Sequence, residues 1–456
     1  MMIVLFILIV IYLLLYSLGL PLWISSSLFY IITTIIYISL NVWYLAKYKK
    51  NTIFCFELLF SISFGLCCFF LPLVMEQLDP SIYSHSIMLN FSDSLLCRAI
   101  ALCVLGYMFY IIGLIPLKPT SQPSQNYYIH QSPMVSKALN YLTLGMIFLF
   151  FLLGGANFIY SYDQSVDMDA LVGGRFGKFG TVMTYAIIFL NVSSVSNIIN
   201  VKYDSEERLF HFIKKIDFIF LMNLAIMSFV FLIAGYRSGA MQVLLPFFAM
   251  LSYKRVLKNR HVVMLIILGG VFMALIGQLR SKTSTISDVS SEMTILSFFR
   301  DFISVNAATP SLVEYSDFYG TAHFRNAISQ ILAVVPFLQS LVFFLFGSEY
   351  LRASSSAVFT YDICESFNSG KGTNIIGDLY YTDGFWCVLI MMFFLGWIIR
   401  KTSLSRNKYA LLVSVCLLGN AVFMPRVEFF YIARTCGLAV IIYWIISSSF
   451  SIRRQS

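Results

Sequence analysis

Long apolar runs separated by short polar stretches follow one another along most of this chain. A membrane-spanning helix needs about 20 consecutive apolar residues, and about twelve runs approach that length. The pattern therefore predicts an all-α fold, a polytopic membrane helix bundle of about twelve transmembrane helices. These predicted helices lie near residues 2–18, 23–46, 53–74, 96–117, 138–158, 180–200, 217–235, 239–253, 261–278, 385–400, 409–424 and 429–450.

Charged residues divide unevenly between the two sides of this predicted bundle. When the N-terminus is placed in the cytoplasm, the cytoplasmic loops and the C-terminal tail hold most of the 31 Lys and Arg, and Asp and Glu lie mainly outside. This arrangement follows the positive-inside rule. The first apolar run lacks a basic flank and a small-residue cleavage site, so we expect a retained first helix rather than a signal peptide.

One predicted outer segment is much longer than the other connections. It divides the chain into residues 1–278 with nine helices, the long periplasmic segment 279–384, and residues 385–456 with three helices and a cytoplasmic tail. Inside it, the apolar stretch 328–346 is interrupted by Pro336. We expect a pair of helices that lies in or dips into the outer membrane interface, with a thirteenth spanning helix as the alternative.

The composition narrows the class of protein. Only 12% of the residues are charged and 59% are hydrophobic, whereas a soluble domain carries about a quarter charged residues. The nine cysteines form no CxxC or Cys/His pattern, so we expect neither a disulfide framework nor a metal site, and no cofactor. The net charge of +9 is not gathered into one patch, so a nucleic-acid partner is not expected.

The most informative single residue is an arginine at a predicted helix junction. Arg237 lies in the stretch AGYRSGA, between Gly235 and Gly239. Glycines allow a ligand to approach the backbone closely, and a guanidinium near hydrocarbon needs an anionic partner. The alternative is a tight turn with an arginine that extends its charge to the interface.

Further arginines lie on the same predicted side of the membrane. Each of them alone is an ordinary surface charge, but several in one cavity would hold a pyrophosphate, because a guanidinium presents a planar fork to phosphate oxygens. Glu428 lies near two of them in sequence, so an internal ion pair and ligand binding are both open there. The candidates are Arg280, Arg300, Arg325, Arg352, Arg426 and Arg434.

Two stretches resemble a known family. AGYRSGAMQVLLPFFAML and GKGTNIIGDLYYTDGFWCVLIMMFFLGW, together with the helix layout and the late outer loop, resemble the O-antigen polymerases of the Wzy type. In many of those proteins the acidic residue of the second stretch is Glu, whereas here it is Asp378. Asp383 occupies a position that is often small or polar in that family.

The resemblance implies a metal-independent, inverting glycosyltransferase of the multi-spanning GT-C type. Its donor would be a glycan on undecaprenyl pyrophosphate, its acceptor one repeat unit on the same carrier, and its site the periplasmic face of the bacterial inner membrane. A polysaccharide chain-length regulator is a further expected partner. The resemblance assigns Arg237 and Asp378 to catalysis, and the other arginines and His323 to substrate binding.

Two alternatives stay open at this point. An O-antigen ligase has a similar architecture and usually carries a His in the long loop, where His323 is the only one here. The loop end Gly-Asp-Leu-Tyr-Tyr fits the polymerase better. A lipid-linked oligosaccharide flippase or another transporter also has about twelve helices, but its loops are short and its charges line a central cavity, unlike the pattern here.

Overall fold

The computed structural model describes most of the chain, and all regular secondary structure in that part is helical. Every predicted span coincides with a helix except 261–278, of which only 261–264 lies in the described residues. The described ranges are 2–19, 24–48, 54–74, 91–116, 132–155, 175–201, 209–234, 236–254, 256–257, 260–264, 305–335, 338–346, 354–364, 372–405 and 407–452.

The helices are numbered here in chain order. The first nine are α1 Met2–Leu18, α2 Ser26–Lys47, α3 Phe56–Val74, α4 Asp93–Leu114, α5 Pro133–Phe150, α6 Arg175–Ile199, α7 Leu209–Lys214, α8 Phe218–Ile233 and α9 Arg237–Tyr253. The others are α10 Ala308–Tyr319, α11 Arg325–Leu332, α12 Leu338–Phe346, α13 Ile375–Leu404, α14 Lys408–Asn420 and α15 Phe429–Ile452. Short turns at Phe151–Gly155, Ser355–Ala357, Val358–Ile363 and Met424–Arg426 complete the helical segments.

Six of these helical segments are long and apolar enough to cross a membrane. Five shorter apolar helices pack among them, so the protein is a helical membrane bundle. Exposed Ile, Leu and Phe side chains cover α1 and α2, which is the surface expected where helices face lipid. The six candidate spans are Ser26–Lys47, Asp93–Leu114, Pro133–Gly155, Val182–Ile199, Ile375–Ser403 and Phe429–Phe450.

Contacts between helix ends define two ends of the bundle. At one end, which we call the carboxylate end, Ser26 at the start of α2 donates to Asp93 at the start of α4. At the other end, which we call the lysine end, the ammonium group of Lys254 donates to the carbonyl oxygens of Ile199 and Val201, at 2.6 and 3.1 Å. Burial lowers the pKa of Lys254. Helices α2 and α4 therefore begin at the same end, and α6 and α9 end at the same end.

Helices α4 and α13 run parallel and touch along their backbones. A Cβ added to Gly113 would lie 2.2 Å from the Phe393 carbonyl oxygen, and one added to Gly396 would lie 2.1 Å from the Tyr110 carbonyl oxygen. Small residues at such a contact let two membrane helices approach closely. Helix α13 therefore follows α4 from the carboxylate end, where Arg98 contacts Tyr380, to the glycine contact near the lysine end.

Helix α13 begins at Ile375, ten residues before the predicted span 385–400. Its helical dihedrals are interrupted at Asp383 and at Gly384, where φ is 75°. At such a kink, some backbone carbonyl oxygens lose the N–H donors that an unbroken helix would supply. The backbone amides of Ala322 and Phe324 donate to the carbonyls of Tyr381 and Thr382, at 2.7 and 3.1 Å. The connection between α10 and α11 therefore caps the kink.

The apolar stretch 328–346 forms two short helices rather than one long one. Helix α11 has 8 residues and α12 has 9, and Pro336 lies between them in the sequence. A spanning helix needs about 20 residues, so neither crosses a bilayer alone. The expected helix pair is therefore present as two helices.

Candidate functional site

The carboxylate end is organised around one buried acidic side chain, Asp378, in the first turn of α13. The amide of Asn326 and the hydroxyl of Ser355 both donate to its Oδ1 atom, at 3.1 and 2.6 Å. The backbone amide of Phe429, at the start of α15, donates to its Oδ2 atom at 2.9 Å. Asp378 is fully buried. Through this carboxylate, α13 is therefore connected to three other segments, namely α11, the segment after α12, and α15.

A second buried carboxylate, that of Glu428, lies directly before Phe429. Its Oε2 atom accepts a hydrogen bond from the amide of Gln330 at 2.7 Å. Its Oε1 atom accepts one from the hydroxyl of Ser354, and the backbone amide of Ser356 lies 3.5 Å from the same oxygen. Only 8% of Glu428 is exposed. These three donors hold its carboxylate in one orientation.

Glu428 also faces a cavity of about 410 Å³. The cavity combines one carboxylate, one guanidinium and several hydroxyl groups, which is the mixture that a polar ligand with a charged group requires. Asp378 does not line it, but lies behind Thr373 and Ser355, whose hydroxyls are 3.2 Å apart. The lining residues are Val305, Ser354, Ser356, Gly372, Thr373, Phe423, Arg426, Val427, Glu428 and Tyr431.

Two of the predicted arginines lie at or near this cavity. Arg426 lines it, from the short turn before α15. Arg434 follows Tyr431 by about one turn of α15, and its Nε atom is buried without a hydrogen-bond partner in the described part of the chain. A guanidinium in such surroundings favours an anionic ligand. Arg426 and Glu428, which lie two residues apart in the sequence, therefore face the same cavity.

Helix α9, which begins at Arg237, reaches the same region. Five residues further on, about 7.5 Å along the helix, Gln242 donates to Asn420 at 3.1 Å and bonds to the cavity residue Tyr431. The Arg237 side chain lies outside the described part of the structure. The start of its helix nevertheless lies at the carboxylate end, close to the cavity.

Gly239, at the start of α9, lies against an aromatic ring. A Cβ added there would lie 2.2 Å from the ring of Tyr236. The ring of Tyr236 therefore packs directly against the helix start, and a side chain at position 239 would displace it. Gly235 lies outside the described residues.

Of the other predicted binding residues, the two that the structure describes do not line the cavity. His323 is exposed, has a left-handed backbone with φ of 47°, and its Nδ1 atom lies 3.7 Å from an oxygen of Asp383. Arg325 is exposed at the start of α11. Three further candidates, Arg280, Arg300 and Arg352, lie outside the described residues.

An ion pair outside the cavity fixes the long segment to the bundle. Arg98 in α4 pairs with Asp317 in α10, with an Nη1–Oδ2 distance of 2.5 Å. Its Nη2 atom also donates to the hydroxyls of Tyr16 and Tyr380, at 3.0 and 2.9 Å. Four helices meet at this guanidinium, and both charged side chains remain about one third exposed.

Comparison with known proteins gives no relative. No family model, no curated protein and no solved structure matches this chain. In the described residues, no group of three or more His, Cys, Asp and Glu is placed to hold a metal ion.

Sequence reasoning missed Asn326 and Ser355 and gave Glu428 only a secondary place. Asn326 and Ser355 belong to segments without a recognisable motif, so only the fold brings them to Asp378. Glu428 did carry a signal, because an acidic residue directly before an apolar helix sits favourably at the positive end of the helix dipole.

Proposed function

We propose that this protein is an O-antigen polymerase, which joins oligosaccharide repeat units carried on undecaprenyl pyrophosphate at the periplasmic face of the bacterial inner membrane. The observation that supports it is the cavity at the carboxylate end, where Arg426 and Glu428 face the same space. A glycosyl transfer from a lipid diphosphate needs a cation for the leaving group and a carboxylate for the attacking hydroxyl.

In the proposed reaction, the hydroxyl of the acceptor sugar transfers its proton to Glu428 as its oxygen attacks the anomeric carbon of the donor. The bond from that carbon to the pyrophosphate oxygen breaks, and undecaprenyl pyrophosphate leaves with the bonding electrons. Arg426, with Arg434 and Arg237 in support, stabilises the charge that develops on the pyrophosphate. The attack is on the opposite face from the leaving group, so the configuration inverts.

Asp378 has a positioning role in this proposal. Its bond to the Phe429 amide fixes the start of α15, and hence Glu428 one residue earlier. Its contacts with Asn326 and Ser355 fix the two segments that hold Glu428 through Gln330 and Ser354. The ligase alternative is less well supported, because His323 lies away from the cavity.

The first experiment is deletion of the gene in its host, followed by gel analysis of the lipopolysaccharide. Core bearing a single repeat unit is the outcome expected for a lost polymerase. Core without any repeat, with polymer accumulated on the carrier lipid, would identify a ligase instead. Absence of periplasmic glycan would identify a flippase.

The second experiment replaces the arginine of the cavity. Complementation of the deletion strain with Arg426→Ala should lower polymer formation about a hundredfold, the usual loss when one charge-stabilising contact is removed. Arg260→Ala is the matched control, because Arg260 is exposed and belongs to another part of the bundle. A full ladder from Arg426→Ala, at the same protein level as the control, contradicts the assigned role.

A further inference from the structure

Helix α11 has its polar and apolar faces reversed relative to a helix on a water-exposed surface. Its buried residues include Asn326 and Ser329, which are 4% and 6% exposed. Its apolar residues Ile328 and Ile331 are 44% and 49% exposed, and Val335, three residues after the helix, is 46% exposed. A helix in contact with water places its apolar face inward, so this arrangement fits a hydrocarbon surrounding.

The chain leaves and re-enters the bundle at the same end. Asn326 at the start of α11 and Ser355 after α12 both donate to the same oxygen of Asp378. Residues 326 and 355 therefore lie at the same end of the bundle. The two helices described between them are α11 and α12, which we call the re-entrant pair.

The re-entrant pair descends along α15 into the bundle. A Cβ added to Gly437 would lie 2.5 Å from Val334, which follows α11. Gly437 is eight residues beyond Phe429, about 12 Å along the helix axis. One leaflet of a bilayer contributes about 15 Å of hydrocarbon, so this depth is most of a leaflet.

The composition of the pair agrees with that depth. From Asn326 to Phe346 the sequence contains no charged residue and no histidine. Among the α12 side chains that the structure describes, the exposed ones are apolar as well, with Leu341, Phe344 and Leu345 at 53%, 85% and 61%. The neighbouring α15 is itself a candidate membrane span, and its side chains Trp444 and Ile445 are exposed as well.

We propose that the re-entrant pair is a membrane-inserted hairpin whose apolar face binds the acyl chains of one leaflet while its polar face holds the two buried carboxylates. The partner of the exposed face is bilayer lipid, rather than another protein. Because Gln330 on the same helix bonds Glu428, lipid contact on one face is linked to the orientation of a cavity residue on the other. The proposal does not depend on the glycosyltransferase assignment.

Spin labelling of the full-length protein in phosphatidylethanolamine–phosphatidylglycerol vesicles tests the proposal. Cys364 is the one cysteine that is not buried, so Cys364→Ser gives a background with low labelling. A label at Ile331→Cys should collide often with oxygen and rarely with a water-soluble nickel chelate. The matched label at Glu314→Cys, an exposed residue of α10, should show the opposite preference. Equal nickel accessibility at the two positions would overturn the proposal.

A second measurement requires no label. Ile331→Lys should lower the thermal unfolding midpoint of the vesicle-bound protein, because a lysine in hydrocarbon is costly. Glu314→Lys, at an exposed position, should leave the midpoint unchanged. A midpoint for Ile331→Lys equal to that of the unaltered protein would mean that the face contacts water, and would overturn the proposal.

Discussion

At the scale of single residues, the Asp378 side chain connects several segments of the fold. It accepts hydrogen bonds from three segments that are far apart in sequence. The sequence identifies this residue as a candidate through its motif, but not its burial or its donors. Those depend on how α11 and α15 pack against α13, and no local pattern encodes that packing.

Replacement of this carboxyl group by an amide separates a positioning role from a catalytic one. In Asp378→Asn one side of the group becomes a donor, so at least one of the three donors that face it loses its acceptor. We expect a loss of about 1–3 kcal/mol in the free energy of unfolding. Fluorescence-detected thermal unfolding of the purified protein measures it.

The control for this replacement is Asp383→Asn, five residues further along the same helix. The Asp383 side chain is 44% exposed, so its replacement should leave the unfolding midpoint unchanged. If Asp378→Asn is as stable as the unaltered protein and yet inactive, Asp378 takes part in the chemistry directly.

At the scale of helices, the close contact between α4 and α13 contributes to the stability of the bundle. In Gly396→Ala the new methyl group meets the backbone of α4, which cannot rotate away, so the helices must separate. We expect destabilisation of about 1–3 kcal/mol, as in other overpacked sites. The thermal unfolding midpoint in detergent is the measurement.

Gly145→Ala, in α5, is the matched control for that contact. Nothing lies within 4 Å of a Cβ added to Gly145. Because alanine has the higher helix propensity, this change should be neutral or stabilise by up to about 1 kcal/mol. Equal losses in the two variants would mean that the α4–α13 contact is not as close as described.

Element positions were largely predictable because apolar runs identify the segments that must avoid water. The predicted span begins at residue 385, ten residues after the start of α13, and the difference has a physical reason. Its first turns, around Asp378 and Thr382, are polar but buried within the protein, and hydropathy distinguishes only polar from apolar residues. A polar turn enclosed by protein therefore appears in the sequence as a loop.

At the scale of the whole molecule, the two ends differ in charge. Asp378 and Glu428 lie buried at one end, while cations gather at the other, namely Lys47, Lys137, Lys214, Lys215, Lys254, Arg400 and Lys401. The sequence predicts this asymmetry from loop charges alone, since orientation follows the positive-inside rule. The cavity, by contrast, is formed by residues from several segments, so it could be recognised only from the fold.

Reporter fusions test this orientation directly. Alkaline phosphatase fused after residue 364 should be active, because that position belongs to the outer side in the proposed layout. Fusions after residues 257 and 405 should be inactive. The measurement is alkaline phosphatase activity in whole cells. An inactive fusion after residue 364 would mean that residues 328–346 cross the membrane as a thirteenth span.

The capped kink of α13 restricts how this chain can vary in length. Ala322 and Phe324 bond two adjacent carbonyls, and Asn326 bonds Asp378 only a few residues later. A single inserted or deleted residue between 322 and 326 would shift this register and break at least one of these bonds. Homologous chains should therefore keep the same spacing here, however much their residues differ.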